Sequence, residues 1–525
     1  MIIGEFVFGA AFNSEEDIRG GAGPLGTDYT VNVDTRFTDT TLGPLVTTVD
    51  CSGADAAGGG SVGTAATTRA FAIAPASMGS VDTLVVARGT KPGIINLSSR
   101  LQVANGTMEG AGAPYAEAIT DVRYTKSGGG TEEISFFMNA TAYRVATAVP
   151  VTGGFTASAN DDAQLIRICF EGVSDSAATQ YFGLTGNKVY ANVLSGSTTM
   201  DNPAWQLIAT VSGESFTFTG GAMLGRFPYC GTSNGVYILD SDAQRFRAAM
   251  DELANDTTLT NCFGMQSISI FGGALFVPLK RGLRMYLPGG DNFSVGPERY
   301  PNNTSPVKGQ YGHVGATDLW GYLPMYDVIG DNSYICAIRP RQPGDQHSQE
   351  VSYYPIIQLE GVESKIAFST GLAGSQTRDT IWVGSDDDVA WFVEGNTDRF
   401  PDDTSYPYAA SGTLYSTKVR RKPGELKVVQ GFQFQSSGCT STETITFDLV
   451  YTDHTGASKE VRCGSPVTKN GLQTVYAPGV TTNPDGSVTG GVKAIDFYLK
   501  ITMARGSTTT LSPKIKYSTV RVLGA

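Results

Sequence analysis

Gln180-Tyr-Phe-Gly-Leu-Thr-Gly-Asn-Lys-Val-Tyr-Ala-Asn192 is the stretch whose reading decides the fold. Two short apolar runs flank a turn with Gly and Asn, the residues that tolerate the positive φ a tight hairpin needs. Near-copies surround it. Upstream stand Leu84-Val-Val-Ala-Arg-Gly89 with Gly93-Ile-Ile-Asn-Leu97, and Ile134-Ser-Phe-Phe-Met-Asn139 with Tyr143-Arg-Val-Ala146. Downstream stand Phe227-Pro-Tyr-Cys-Gly231 with Gly235-Val-Tyr-Ile-Leu239, and Ala274-Leu-Phe-Val-Pro278 with Gly282-Leu-Arg-Met-Tyr286. These five begin 50, 46, 47 and 47 residues apart. The last clear copy is Thr380-Ile-Trp-Val-Gly-Ser-Asp-Asp-Asp-Val-Ala-Trp-Phe392, and Ser333-Tyr-Ile-Cys-Ala-Ile338 fills the gap before it. A period of this size, with two visible strands and room for two more, predicts the blades of a β-propeller.

The chain has 525 residues and a mass of 55.4 kDa, too much for one ordinary core. Only 17% of residues are charged and 64 are Gly, which suits many short strands joined by tight turns. The single stretch that reads as helix is Asp240–Leu253, where Ala243, Phe246, Met250 and Leu253 share a face. The expected fold class is therefore all-β, a six- or seven-bladed propeller with an N-terminal arm and a C-terminal β-sandwich. The arm covers residues 1–66. It holds the flexible runs Gly20–Gly26 and Gly53–Ser61, and between them the alternating strand Tyr29–Thr38. It either docks on another surface or folds back on its own propeller.

The propeller is expected over residues 67–404, its sixth hairpin enlarged by the polar loop Arg339–Glu350. Past the turn-rich Asn396–Ser405 the spacing changes. Strands at Leu426–Phe434, Thr444–Tyr451, Ala494–Thr502 and Lys514–Val522, parted by turns at Asp453–Gly456 and Asn483–Gly486, read as a sandwich over residues 405–525.

The layout, the junction Pro407-Tyr-Ala-Ala-Ser-Gly-Thr-Leu414 and the final strand Pro513-Lys-Ile-Lys-Tyr-Ser-Thr-Val-Arg-Val522 carry a resemblance. Over residues 67–525 the chain resembles structural proteins of bacteriophage tails, and among them the nozzle-type component of short tails. That resemblance implies a ring, usually of six subunits, in the virion tail, assembled in the host cytoplasm. It implies tail adaptor, fibre or spike proteins as partners, DNA that passes through a channel without specific binding, and no catalytic residues. A carbohydrate- or receptor-binding propeller at a tail tip is the alternative.

Net charge is −12, which argues against a general nucleic-acid binder and is compatible with an acidic conduit. The seven cysteines (Cys51, Cys169, Cys230, Cys262, Cys336, Cys439 and Cys463) are odd in number and lack a Cys-x-x-Cys pair. They read as buried thiols of a protein made in a reducing compartment. Met1–Ala10 lacks the basic start of a secretory signal, and no apolar run reaches the length of a membrane span.

Residue sets that could carry chemistry are few. Ser385-Asp-Asp-Asp-Val-Ala-Trp391 lacks the Gly and Thr of a sialidase-type turn, and Asp386–Asp388 reads as a solvated turn rather than a cation site. His313, His347 and His454 are far apart and lack His-Glu-x-x-His spacing. Gly59–Gly63 and Gly231–Gly235 match Gly-x-Ser-x-Gly, yet one lies in the arm and the other in a hairpin. No catalytic, cofactor or metal residues are assigned, and no cofactor is expected. Tyr353, Tyr354, Tyr406 and Tyr408 are assigned to core packing. The basic run Lys418-Val-Arg-Arg-Lys-Pro423 has two readings: Lys418, Arg420, Arg421 and Lys422 form a subunit interface, or they keep an exposed edge soluble.

Overall fold

The structure is a computed structural model. It describes residues 2–8, 27–49, 71–78, 81–88, 91–108, 119–138, 141–147, 153–159, 165–174, 179–210, 218–232, 235–240, 245–248, 268–279, 282–287, 292–295, 309–317, 320–327, 332–340, 351–360, 366–370, 379–384, 389–394, 406–419, 426–485 and 487–524. Among them every regular element is a β-strand.

Five strands come first: β1 (Ile2–Val7), β2 (Thr27–Val31), β3 (Val33–Asp34), β4 (Thr41–Leu42) and β5 (Thr47–Val49). Antiparallel sheets follow in chain order. The first is β6 (Phe71–Met78), β7 (Val81–Arg88), β8 (Lys91–Asn96) and β9 (Leu101–Met108). The second is β10 (Ile119–Lys126), β11 (Glu132–Met138), β12 (Arg144–Ala146) and β13 (Gly153–Ala159). Their outer strands β9 and β13 pair in parallel, which fuses the two at the rim. The third is β14 (Ile168–Ser174), β15 (Thr179–Thr185), β16 (Lys188–Leu194) and β17 (Gln206–Thr210). The fourth is β18 (Phe218–Leu224), β19 (Phe227–Thr232), β20 (Gly235–Asp240) and β21 (Arg245–Ala248). The fifth is β22 (Ser269–Phe271), β23 (Ala274–Leu279), β24 (Gly282–Tyr286) and β25 (Asn292–Ser294). The sixth is β26 (Gly309–Tyr311), β27 (Gly315–Ala316), β28 (Gly321–Asp327), β29 (Asn332–Pro340) and β30 (Val351–Glu360). The seventh takes β31 (Ile366–Thr370), β32 (Thr380–Gly384) and β33 (Val389–Val393), and borrows β5 as its fourth strand.

The quoted hairpins thus form the two middle strands of their sheets, where both faces are covered. That is why they read as near-continuous apolar runs. Alternation sends successive side chains to opposite neighbours. In β19, Tyr229 joins the core shared with the fifth sheet, and Cys230 joins the core shared with the third. Core follows sheet in this way around the series. The last such core packs Trp382, Val389 and Val49 of the seventh sheet against Leu84, Val86 and Ile95 of the first. Trp382 is fully buried there, a burial that stabilises by about 1.5–3 kcal/mol.

The structure corrects the helix reading of Asp240–Leu253 at the residues it describes there, Asp240 and Arg245–Ala248; the others lie outside the described residues. Asp240 ends β20, and Arg245–Ala248 is the outer strand of the fourth sheet, in register as Tyr237↔Ala248 through Asp240↔Arg245. A short helical spacing of apolar residues is a weak preference. The hydrogen bonds that β20 offers along its open edge outweigh it.

The C-terminal strands are β34 (Ser411–Ser416), β35 (Lys427–Ser437), β36 (Thr444–Thr452), β37 (Ser458–Val467) and β38 (Gly471–Tyr476). They continue as β39 (Val480–Thr482), β40 (Val488–Gly490), β41 (Val492–Ala494), β42 (Asp496–Ala504) and β43 (Lys514–Gly524). One sheet runs β1-β43-β35-β38 with β41 beside β35, and a second runs β2-β34-β42-β36-β37. Their inward faces share one core that includes Phe6, Phe432, Phe447, Ile501 and Val522. Strand alternation is strict in β42, where every second residue is buried. The N-terminal segment therefore supplies β1 and β2 to these two sheets and β5 to the seventh sheet.

A buried carboxylate joins the second and third sheets. Glu133 accepts backbone hydrogen bonds from Met200 (2.6 Å) and Asp201 (3.3 Å). Burial raises its pKa above the usual carboxylate range, although the two N–H groups and Thr199 oppose the shift.

Candidate functional site: the joint where the termini meet

Residues 29–38 alternate as a strand should, but Asn32 has φ +53° and splits the run into β2 and β3. The kink lets one short segment touch two sets of sheets. Thr30 donates its hydroxyl to the Pro355 carbonyl, and the Asn32 side chain accepts from the Gln358 N–H at 3.0 Å; both partners lie in β30. On its other side β2 pairs with β34, from Thr27↔Ser416 to Val31↔Thr413.

Beyond the kink lies a buried ion pair. Asp34 and Arg36 are two apart, so an extended backbone turns them to one side. The Arg36 side chain has no solvent exposure and that of Asp34 has 4%. Arg36 Nε and Nη2 reach Asp34 at 2.8–3.1 Å, and Nη1 donates to the Tyr322 hydroxyl at 3.2 Å. The guanidinium also lies 5.0 Å from the Trp320 ring centre and 5.1 Å from that of Phe37. Burial alone would lower the Arg36 pKa. Asp34, Tyr322 and Tyr406 together outweigh burial and hold it above its ordinary value. Burial pushes the hydroxyls of Tyr322 and Tyr406 up, so both stay neutral beside the pair. Desolvated cation–π contacts contribute about 2 kcal/mol, and breaking such a buried pair costs about 3–5 kcal/mol. The cluster ties the N-terminal segment to Trp320 and Tyr322 beside and in the sixth sheet.

The junction Pro407–Leu414 closes the same joint. Tyr408 N–H donates to Thr509 O and Ala409 N–H to Gly43 O, each at 2.8 Å. Arg505 Nε lies 2.9 and 3.0 Å from the Tyr408 and Ala409 carbonyls. A Cβ at Gly412 would meet the Asn32 carbonyl oxygen at 2.3 Å, so only glycine admits the kink beneath it.

On the outer side of the joint, β43 carries an irregularity. Tyr517 and Ser518 have φ +59° and +45°, a left-handed conformation that costs a non-glycine residue about 1–2 kcal/mol. The N-terminal segment holds it. Tyr517 N–H donates to Asp39 Oδ1 (3.1 Å), Ser518 Oγ to Thr38 O (2.9 Å), and Phe8 N–H to Ser518 O (2.8 Å). Tyr517 itself is 61% exposed.

Lys418 pairs with Asp496 of its own chain at 3.1 Å; Arg420, Arg421 and Lys422 lie outside the described residues, as do Asp386–Asp388, His347, Gly59–Gly63, Cys51 and Cys262. His313 and His454 stand apart, beside β26 and in the exposed turn after β36. Thr232 and Gly235 are paired ends of a hairpin, which excludes a strand-to-helix elbow at Gly231–Gly235. Tyr353, Tyr406 and Tyr408 are buried in cores. Cys169, Cys230, Cys336, Cys439 and Cys463 are free and buried, and burial pushes the Cys463 thiol up to about 12. Such thiols stay protonated and unreactive at neutral pH. The sequence pattern does not mark Asp34, Arg36 or Tyr517 as site residues. The signal was present as opposite charges two apart in an otherwise alternating apolar run.

No protein-family model matches the chain, and no curated protein matches it. Among solved structures it is similar to the β-propeller domain of Cps50 (Swd1) from Myceliophteria thermophila, at 11% identity and a TM-score of 0.41. That match covers 67% of this chain and all of that one. It is also similar to BBS1N, solved in complex with ARL6DN, at 9% identity and a TM-score of 0.29, over 62% of this chain and 79% of that one.

Proposed function

We propose that this chain is a structural subunit of a bacteriophage tail, a nozzle-like component that closes into a ring, retains and conducts DNA, and offers surfaces to adaptor, fibre or spike proteins. In this reading residues 67–404 are a seven-bladed propeller, residues 405–525 a sandwich, and the N-terminal segment the strap that binds them. The blade count rests on the run of shared cores from the first sheet round to the seventh. One observation carries the functional reading. The junction motif behind the family resemblance is bonded into the joint, with Gly412 against Asn32 and Arg505 on the Tyr408 and Ala409 carbonyls. A rigid joint of this kind suits a part that bears load. A hinge would need exposed, weakly bonded backbone at that place.

The test is imaging of the purified full chain by negative-stain electron microscopy, with mass by light scattering over a concentration series. Closed rings with an axial hole are the expected result, and hexamers match the nozzle form. A strict monomer that binds glycans would replace this reading with receptor binding at a tail tip.

A further inference from the structure

Charge is divided unevenly along the chain. Residues 406–525 hold 14 Lys and Arg against 7 Asp and Glu, a net of +7, whereas residues 1–405 hold 24 against 43, a net of −19. Part of that excess lies in the sheet β1-β43-β35-β38, on its strand β43. Alternation in β43 buries Ile515, Val520 and Val522 in the core and turns Lys514, Lys516 and Arg521 away from it. Arg521 pairs with Glu5 at 3.2 Å, whereas neither Lys514 nor Lys516 meets a described acid at ion-pair distance.

The same strand presents Tyr517 at 61% exposure, on a left-handed backbone locked by Asp39, Thr38 and Phe8. Val7, 40% exposed, lies on the neighbouring strand β1, its Cα paired with that of Thr519. An exposed aromatic side chain on a fixed backbone, in a strand that also carries Lys514, Lys516 and Arg521, has the make-up of an interface anchor.

We propose that this face, centred on Tyr517 with Lys514 and Lys516, docks head to tail on the acidic 1–405 portion of a second copy of this chain. The inference rests on the ring reading, which needs a heterologous interface that joins two different surfaces. Opposite net charges on the two portions steer them together and set like surfaces apart. The long-range part of that attraction is screened by salt, because the Debye length falls from about 10 Å at 0.1 M to about 3 Å at 1 M.

Sedimentation velocity on the full chain, at several protein concentrations and from about 0.05 to 1 M NaCl, tests it with K514E/K516E and Y517A beside the parent. Circular dichroism confirms that each variant folds. The expected result is parent assembly that weakens with salt, and self-association weakened at least about tenfold in both variants. Rings that form unchanged in both variants overturn this interface and leave the ring reading standing. Open chains that dissolve on charge reversal support the interface and sink the ring. A parent that stays monomeric at every concentration overturns both. A monomer that shifts duplex DNA, with the shift lost in K514E/K516E, overturns the second copy as occupant and assigns the face to DNA.

Discussion

The two large parts of this molecule are built by opposite rules. In the sheets spanning residues 71–393, nearly every strand pairs with the strand before or after it, through turns such as Thr185-Gly186-Asn187-Lys188. In the C-terminal sheets, β43 lies between β1 and β35, so Ile2 faces Leu523, and β2 pairs with β34, so Thr27 faces Ser416. Local pairing fixes few residues before the first contacts form. Pairing across the whole chain incurs the loop-closure entropy first and gains contacts only afterwards. The difference teaches where the molecule is vulnerable. The repeats are secured one by one, and the C-terminal unit is secured by a segment from the far end.

Three changes break or sharpen that contrast. Deleting residues 1–49 has the largest expected effect. It strips β1 and β2 from the C-terminal sheets and β5 from the seventh sheet, a loss comparable with the whole ~5–15 kcal/mol stability of a domain. Thermal unfolding followed by circular dichroism should then show the C-terminal unit already unfolded while six complete repeat sheets still melt. A single sharp transition at the parent temperature would refute the strap.

Asp34→Ala comes next, because it leaves Arg36 buried without its carboxylate. Urea unfolding monitored by tryptophan fluorescence, with Trp320 as the reporter 5.0 Å from the guanidinium, should show a loss of about 3–5 kcal/mol. The double change Asp34→Leu with Arg36→Met should restore most of it, since a packed apolar pair can replace a buried ion pair. No restoration would mean that the pair aligns the joint in a way packing cannot supply.

The smallest effect sits inside the repeats. Burial raises the Glu133 pKa, so the folded chain keeps that proton to higher pH than the unfolded chain does. The folded state binds more protons over the interval from the ordinary carboxylate value to the raised one. Stability from this group therefore falls as pH rises through that interval. Glu133→Gln should flatten the dependence of melting temperature on pH in that range. An unchanged slope would assign it to other carboxylates.

Much of the repeat part was legible in the chain itself. Leu84–Leu97, Gln180–Asn192 and Thr380–Phe392 announce hairpins because turn residues and apolar runs adjoin in sequence. The strands of the C-terminal unit were legible too, since β42 and β36 alternate cleanly. Asp240–Leu253 misled because four apolar residues at helical spacing say nothing of the open edge of β20 that recruits Arg245–Ala248. Of the candidate site, the junction Pro407–Leu414 stood out, but Asp34, Arg36 and Tyr517 did not. A charge on an extended strand looks solvated until the partner that buries it is known.

By itself, then, the sequence determined the all-β class, the repeat period and the places of most hairpins, because those follow from contacts between neighbours in the chain. Only the tertiary structure decided that β1, β2 and β5 bind the molecule together, that Arg36 is sealed between Asp34 and Trp320, and that Tyr517 is held outward. Those outcomes depend on segments hundreds of residues apart meeting in space, and such meetings leave no periodic mark on either segment.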